Sequence, residues 1–383
     1  MEIPDKRPFL LDGDPFPALD AAGIPDPVCL TQLADEFINA GSMAVLLPAA
    51  DKACTRAVSE SVRGRAPIGG RVQPCDIDIV PFDSTTFERL IAYYRAQIQI
   101  YAGARVAFVF LDGFTGIPDL RAAILAAREY DVPVFAVMEI SDECRTAVRD
   151  ADVLAALVVA QSLGASAFGV TGTGGARPLI QALERLYPYA TIPLIARADA
   201  GCPNPVLPHV YDLSPQSMAY EVLSLVQAGA QIVGGRNGVT PAHIRAIADK
   251  LDHSVFADTL PQKADTRGEL IAANHKEIFF IPQAPEISEP LPCTLDMSEA
   301  LMETAGITGI DVIAVTITGI DDAHLMAENA HMATLPILIH CDDESVLEEA
   351  LVHYQGRALV DSQSFIPPEQ LIEIAAHYGA IVY

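Results

Sequence analysis

The stretch "QIVGGRNGVTPAHIRAIADKL", residues 231–251, contains a complete strand–turn–helix unit. An apolar run leads into two glycines, which let the backbone turn sharply, and the side chains of Arg236 and Asn237 follow. Thr240 and Pro241 then suit the N-cap and the first position of a helix. The pattern predicts a buried strand whose end displays a guanidinium and an amide group.

The same unit recurs through the first part of the chain. Helical patterns separate eight strand-like runs at residues 9–13, 43–49, 66–72, 105–112, 133–140, 167–172, 193–199 and 231–237. The runs are apolar on both faces, as parallel strands covered by helices must be. Eight such units are the number found in a (β/α)8 barrel, so we predict an α/β fold with a TIM barrel over residues 1–253.

The last part of the chain differs from the first in composition and in its number of strand-like runs. Residues 254–293 are rich in proline and polar residues and are interpreted as a linker. Residues 294–383 form a smaller, incomplete α/β module, with strand-like runs at 312–317, 336–341, 358–364 and 380–383. Four strands are too few to close a barrel, so we expect a small open sheet or a module that leans on the barrel.

Composition and charge narrow the classes of partner. The chain carries 50 acidic and 24 basic residues, for a net charge of −26. A polyanion would be repelled, so neither nucleic acid nor an anionic membrane surface is an expected partner. The sequence has no apolar run long enough to span a membrane and no signal-peptide core. Its seven cysteines contain no C-x-x-C pair, which favours a reducing, cytoplasmic location.

Polar residues stand at most of the predicted strand ends. The carboxyl ends of TIM-barrel strands carry the chemistry of these folds. The side chains expected there are Asp12, Asp112, Glu139, Thr171, Asp199, Arg236 and Asn237. Carboxylates suit an amino-bearing ligand, and Arg236 could bind a ligand carboxylate with two hydrogen bonds or form a salt bridge to one of the acids. These residues predict a small-molecule site at the barrel mouth.

The order of motifs resembles the homocysteine S-methyltransferase family over about residues 5–250. The motifs are "LLDG" (10–13), "LGASAFGVTGTGG" (163–175), "PLIARADAGCPNP" (193–205), "YDLSPQSMA" (211–219) and "GAQIVGGRNGVTPAHIRAIA" (229–248). The likeness is to the homocysteine-binding barrel of cobalamin-dependent methionine synthases. The segment 335–383, which begins "LPILIHCDDESV", resembles part of the folate-binding (pterin) barrel of the same enzymes.

The resemblance implies a metal-assisted reaction that this sequence does not support. In the family, three cysteinates hold a zinc ion, which binds the homocysteine thiol as a thiolate so that it can attack a methyl group. The corresponding positions here are Arg236, Asn237 and Gly172. A guanidinium has no lone pair for a metal, so we expect no zinc at this site.

Other positions also differ from the residues that the family has there. The correspondence between these positions and the family's residues comes from the resemblance alone. Of the family's substrate-contacting residues, Asp12 is the one that this sequence retains. Asp199 and Thr171 each stand where the family has an asparagine. In the second module, His340 and Asp361 stand where the family has a pterin-contacting aspartate and an asparagine.

Three functions remain open from the sequence, and no catalytic residue is assigned. The first is a diverged methyltransferase without zinc-thiolate chemistry, in which Arg236 binds a substrate carboxylate while Asp12 and Glu139 hold an amine. The second is a non-catalytic binding or interaction subunit for a corrinoid or folate protein. In both cases a partner would supply methylfolate or methylcobalamin. The third is a lyase or hydrolase that uses the mouth carboxyls as general acid and base.

Overall fold

The fold of the first part is an eight-stranded parallel sheet wound into a barrel. The computed structural model describes residues 7–13, 26–48, 50–75, 84–173, 175–207, 210–254 and 260–383. The barrel strands are β1 (Phe9–Leu10), β2 (Val45–Leu47), β3 (Ile68–Val72), β4 (Phe108–Phe114), β5 (Val134–Glu139), β6 (Ala167–Gly172), β7 (Leu194–Ala198) and β8 (Ile232–Gly235). Consecutive strands are neighbours from β2 to β8, and β1 pairs with β8. The predicted TIM barrel and all eight of its strands are confirmed.

The seam between β1 and β2 is joined differently from the rest of the sheet. The Met43 amide donates to the Leu10 carbonyl at 2.7 Å. A carboxylate oxygen of Asp12 accepts from the Leu46 amide, also at 2.7 Å. A side chain thus takes the place of a ladder bond and helps to bring the first two strands together.

Helices alternate with the strands and cover the barrel. They are α1 (Pro27–Ala40), α2 (Lys52–Ser61), α3 (Ser84–Gly103), α4 (Ile117–Arg128), α5 (Val153–Ser162), α6 (Ala176–Leu186), α7 (Pro215–Gln227) and α8 (Pro241–Asp252). The predicted N-cap of α8 is confirmed, because Thr240 keeps an extended backbone directly before the first helical residue, Pro241. Its amide donates to Nδ1 of His243 at 3.2 Å. No helix in the described ranges is long and apolar enough to cross a membrane.

The barrel interior is an apolar plug topped by charged side chains. The plug includes the rings of Phe108 and Phe135, whose centroids lie 4.6 Å apart. Side chains of a strand point alternately inward and outward, so residues two positions further along β4 and β5 also face inward. The polar residues at the carboxyl ends therefore lie directly above the plug.

The expected linker needs correction where the structure describes it. Residues 260–293 contain an antiparallel hairpin, β9 (Glu269–Ala273) with β10 (Ile278–Pro282), followed by β11 (Leu291–Pro292). Ala272 and Ile281 of the hairpin are buried, and Leu270 and Phe279 lie on the same apolar face. Only three residues of the two hairpin strands, Ala272, Ala273 and Ile281, are buried, so the strands lack the continuous apolar run that marks the barrel strands and the segment's proline-rich, polar composition dominates.

The second module is a five-stranded parallel sheet covered on both faces. Its order is β11, β12 (Ile313–Thr316), β13 (Ile337–His340), β14 (Leu359–Val360) and β15 (Ile381–Val382). One face packs against α9 (Ser298–Ala305), α10 (Ile320–Asn329), α11 (Glu344–His353) and α12 (Pro368–His377). The hairpin covers the other face through Val312, Leu338 and Leu359. The four predicted strands are present, and β11 is an addition to them.

The module also leans on the barrel, as the sequence allowed. The buried guanidinium of Arg121 on α4 donates to the carbonyls of Leu351 and Val352 at the end of α11. The Asp152 amide, at the start of α5, donates to the Lys276 carbonyl in the hairpin turn at 2.8 Å. Buried polar contacts of this kind fix the module against one side of the barrel.

Candidate functional site at the barrel mouth

Asp112, at the end of β4, is the counter-ion of two arginines. Its Oδ2 lies 2.6 Å from Nε of Arg71 on β3 and 3.0 Å from Nη1 of Arg197 on β7. Arg197 also donates to the Gly235 carbonyl at 2.9 Å and lies over the Phe110 ring. Burial opposes ionisation of Asp112, but the guanidinium groups, first that of Arg71 and then that of Arg197, hold its pKa below the usual value. Asp112 is therefore a buried structural charge.

Arg236 joins the remaining acids of the mouth. Its Nε lies 3.1 Å from Oδ1 of Asp199, and its Nη2 lies 3.4 Å from Oε1 of Glu139. Asn237 donates to both oxygens of Asp199 at 3.2 Å. Burial raises the pKa of Asp199 above its usual value although Arg236 opposes that shift. Of the two roles left open for Arg236, the salt bridge is the arrangement in the structure.

Asp12 lies in the β1–β2 seam rather than among these acids. One carboxylate oxygen accepts from the Leu46 amide, and the other has no hydrogen-bond partner among the described residues. Burial raises the pKa of Asp12 to about 7, and nearby Arg197 only partly offsets this. The geometry makes Asp12 an anchor between strands.

Thr171 and Gly172, at the end of β6, have no room for a ligand at their side-chain positions. The Thr171 hydroxyl donates to the Arg197 carbonyl at 2.8 Å, and the residue is fully buried. A Cβ on Gly172 would lie 2.8 Å from the Ile140 carbonyl oxygen, closer than a real contact allows. Both residues shape the wall of the mouth.

Sequence reasoning missed two members of this site, Arg71 and Arg197. Each is a charged residue inside an otherwise apolar strand run, and that is the signal that could have revealed them. A buried guanidinium needs polar partners, and inside a barrel whose backbone carbonyls are largely used by the sheet those partners include a buried acid, so a lone arginine in such a strand indicates an internal charge pair. The structure brings together Arg71, Asp112 and Arg197 in one cluster and Glu139, Asp199, Arg236 and Asn237 in another.

In the second module, the two residues singled out by the resemblance contact each other. Nδ1 of His340, at the end of β13, lies 2.9 Å from Oδ2 of Asp361, which follows β14. Nε2 of the same ring lies 3.8 Å from Oδ2 of Asp342. The imidazole is held between two carboxylates at the carboxyl edge of the sheet.

A family model described as homocysteine S-methyltransferase matches residues 28–251, nearly the whole barrel. The chain belongs to this family. Among curated relatives, the methionine synthases of Mycobacterium tuberculosis (strain ATCC 25618 / H37Rv) and Mycobacterium leprae (strain TN) are each 25% identical over 76% of this chain. The chain spans 27% of the length of each of those proteins.

Solved structures of the homocysteine S-methyltransferase family share the barrel. The apo form of the homocysteine methyltransferase MmuM from Escherichia coli superposes with a TM-score of 0.53 at 16% identity, covering 64% of this chain and 97% of that one. The metallated form of MmuM gives a TM-score of 0.52 at 15% identity with the same coverage. At this identity the likeness establishes the fold.

Proposed function

We propose that this chain is a diverged member of the methyltransferase family that binds a small, zwitterionic, amino-acid-like ligand at the barrel mouth. The observation that carries the proposal is the pair formed by Arg236 and Glu139. Its contacts are long, at 3.4 Å, and the Glu139 side chain is 31% exposed, whereas that of Asp199 is only 2% exposed. The Arg236–Glu139 pair is the part of the network that a ligand can reach and separate.

An amino acid carries the same two charges as that pair. Its ammonium group can bind Glu139, and its carboxylate can accept two hydrogen bonds from the Arg236 guanidinium. Insertion of the ligand would replace one ion pair by two. An unpaired buried charge is the main energetic obstacle to binding at a charged site, and this exchange would leave none. Asp199 would keep Arg236 in place during the exchange, through the 3.1 Å contact to its Nε.

The donor set does not fit the zinc ion that the family implies. The Arg236 guanidinium offers no lone pair, and the Asn237 amide nitrogen already donates to Asp199. The third position, Gly172, has no space for a cysteine side chain, because a Cβ there would lie 2.8 Å from the Ile140 carbonyl. We therefore assign no thiolate-generating step to this chain.

The origin of a transferable methyl group is part of the same proposal. Methionine synthases align with 76% of the chain, more than the barrel alone accounts for. That extent supports a partner corrinoid or folate protein as the carrier of methylcobalamin or methylfolate. The accepting atom of the ligand would then be one that is nucleophilic without a metal.

Calorimetric titration of metal-stripped protein with L-homocysteine, L-methionine and other α-amino acids tests this function. We expect at least one amino acid to bind without added zinc and binding to be lost in Arg236→Ala and strongly weakened in Glu139→Gln. Arg245→Ala, which removes an exposed arginine on α8, is the matched control. Binding that requires zinc, or binding unchanged in Arg236→Ala, would refute the proposal.

A non-catalytic interaction subunit is the second candidate, and one observation favours it. The charges of the mouth neutralise each other within the chain, so no described residue there is placed as a free nucleophile or base. This candidate predicts no methyl transfer from methylcobalamin or methylfolate to any acceptor in a panel, together with co-purification of a methyl-carrier protein. Turnover that is lost in Arg236→Ala would instead support the diverged enzyme.

A further inference from the structure

A histidine–glutamate–histidine cluster lies between the second module and the barrel, far along the chain from the mouth residues. His324 is on α10, and Glu349 and His353 are one turn apart on α11. Oε1 of Glu349 lies 2.7 Å from Nε2 of His324 and 3.1 Å from Nε2 of His353. Among the described residues, these three ligand atoms all lie within 4.8 Å of one another.

We propose that His324, Glu349 and His353 bind a divalent transition-metal ion. A first-row metal bound at about 2.0–2.2 Å places adjacent ligand atoms roughly 3 Å apart. The Glu349 oxygen already lies at 2.7 and 3.1 Å from the two imidazole nitrogens, and all three atoms lie within 4.8 Å of one another. Two imidazole nitrogens with one carboxylate favour zinc or its neighbours over magnesium and calcium, which prefer oxygen ligands alone. The metal would replace the protons that the carboxylate now shares with the two rings.

The surroundings allow an ion to enter and hold the ligands in place. The side chains of His324 and Glu349 are 31% and 30% exposed, so solvent reaches the cluster and water can complete the coordination. The His353 side chain is 2% exposed, and its ring meets the Phe87 ring of α3 edge to face at 5.9 Å. The more buried ligand is thereby oriented by the barrel.

The barrel also contributes a negative charge near the cluster. Glu88, next to Phe87 on α3, interacts electrostatically with His353 and adds a second carboxylate to the neighbourhood. An ion in this cluster would therefore sit where α3, α10 and α11 meet. Its binding would strengthen the contact between the two parts of the chain as well as the module itself, because a ligand that binds only the folded state stabilises it.

The test is calorimetric titration of the chelator-treated full chain with Zn²⁺ and Co²⁺, with thermal unfolding followed in parallel. We expect one equivalent of Zn²⁺ to bind and to raise the unfolding temperature. Loss of a direct ligand should weaken binding by at least the roughly 10- to 100-fold seen for outer-shell changes. His324→Ala and Glu349→Gln are the informative variants, because both side chains are partly exposed and their loss leaves the core intact.

His253→Ala, at the C-cap of α8 in the barrel, is the matched control and should bind zinc like the unchanged protein. The cobalt complex should show ligand-field absorption without a thiolate charge-transfer band, because the cluster contains no cysteine. Zinc affinity unchanged in His324→Ala would overturn the proposal. A thiolate band would also overturn it by assigning the ion to cysteine. The unfolding temperature without metal separates loss of the site from loss of the fold.

Discussion

Nη1 of Arg197 lies 3.0 Å from Oδ2 of Asp112 in the interior of the barrel, where both side chains are almost fully buried. Arg71 binds the same oxygen. Desolvation of a charge is expensive, and the mutual attraction offsets it only if every partner stays in place. The cluster of Arg71, Asp112 and Arg197 above the apolar plug is therefore held together by one carboxylate.

Asp112→Asn should destabilise the protein strongly. The substitution leaves the buried guanidinium of Arg197 and the largely buried one of Arg71 without their counter-ion, and breaking a buried pair from one side costs about 3–5 kcal/mol. Urea unfolding measures the loss. Glu60→Gln, which breaks the exposed Arg56–Glu60 pair, is the control and should leave the midpoint unchanged. Equal midpoints for the two variants would show that the pairs around Asp112 contribute nothing.

Asp12 should make stability fall as the pH rises towards neutrality. Its pKa is about 7 in the folded chain, against an ordinary value of 3.8, so the native state keeps a proton that the unfolded chain releases. The stabilisation is complete below the unfolded pKa and is lost as the pH rises through the folded pKa, by at most about 4 kcal/mol.

Asp12→Asn cannot titrate and isolates this effect. Relative to the unchanged protein, the variant should gain in unfolding free energy between pH 4 and about pH 7 and then level off. Urea unfolding at several pH values gives the difference curve, in which groups common to both proteins cancel. Parallel pH profiles would contradict the role given to the Asp12 carboxyl.

Arg121→Ala should loosen the contact between the second module and the barrel. The side chain supplies donors to the last carbonyls of α11, and leaving such buried groups unpaired costs about 1–3 kcal/mol. Hydrogen exchange should rise most in peptides that cover residues 344–355. Arg245→Ala, at a distance from the module, should leave their protection unchanged. If α11 exchanges equally slowly in both variants, Arg121 does not anchor the module.

Ile281→Ala should destabilise the second module. Ile281 is buried between the hairpin and the five-stranded sheet, and truncation of a buried isoleucine costs about 2–5 kcal/mol. Phe280, the next residue on β10, is exposed and points to the other side. Phe280→Ala should therefore cost clearly less in urea unfolding. A larger loss for Phe280→Ala would mean that the hairpin does not serve as a cover.

The barrel was predictable because each of its strands corresponds to an apolar run in the sequence, such as residues 133–140, and a helical pattern follows each run. The hairpin was not, because its buried face depends on alternate residues within a proline-rich segment. β11 is only two residues long and owes its existence to pairing with β12. Short strands of this kind are defined by their neighbours rather than by their own residues.

The site was predictable as a location but not as a network. Strand ends indicated Glu139, Asp199 and Arg236, and in the structure both acids contact Arg236. They also indicated Asp12, whose carboxylate lies in the seam between strands. Which acid pairs with which arginine depends on barrel shear and strand tilt, and neither is encoded in a local pattern.

The pairing of Arg236 with Asp199 and Glu139 also bears on how this chain could change over generations. Exchange of Arg236 alone for any uncharged side chain would leave Glu139 and the buried Asp199 without their cationic partner. A lineage that acquired sulfur ligands here would have to alter the acids in the same period or pass through a poorly folding intermediate. The mouth is thus an epistatic unit, in which the fitness of each residue is set by the identity of the others.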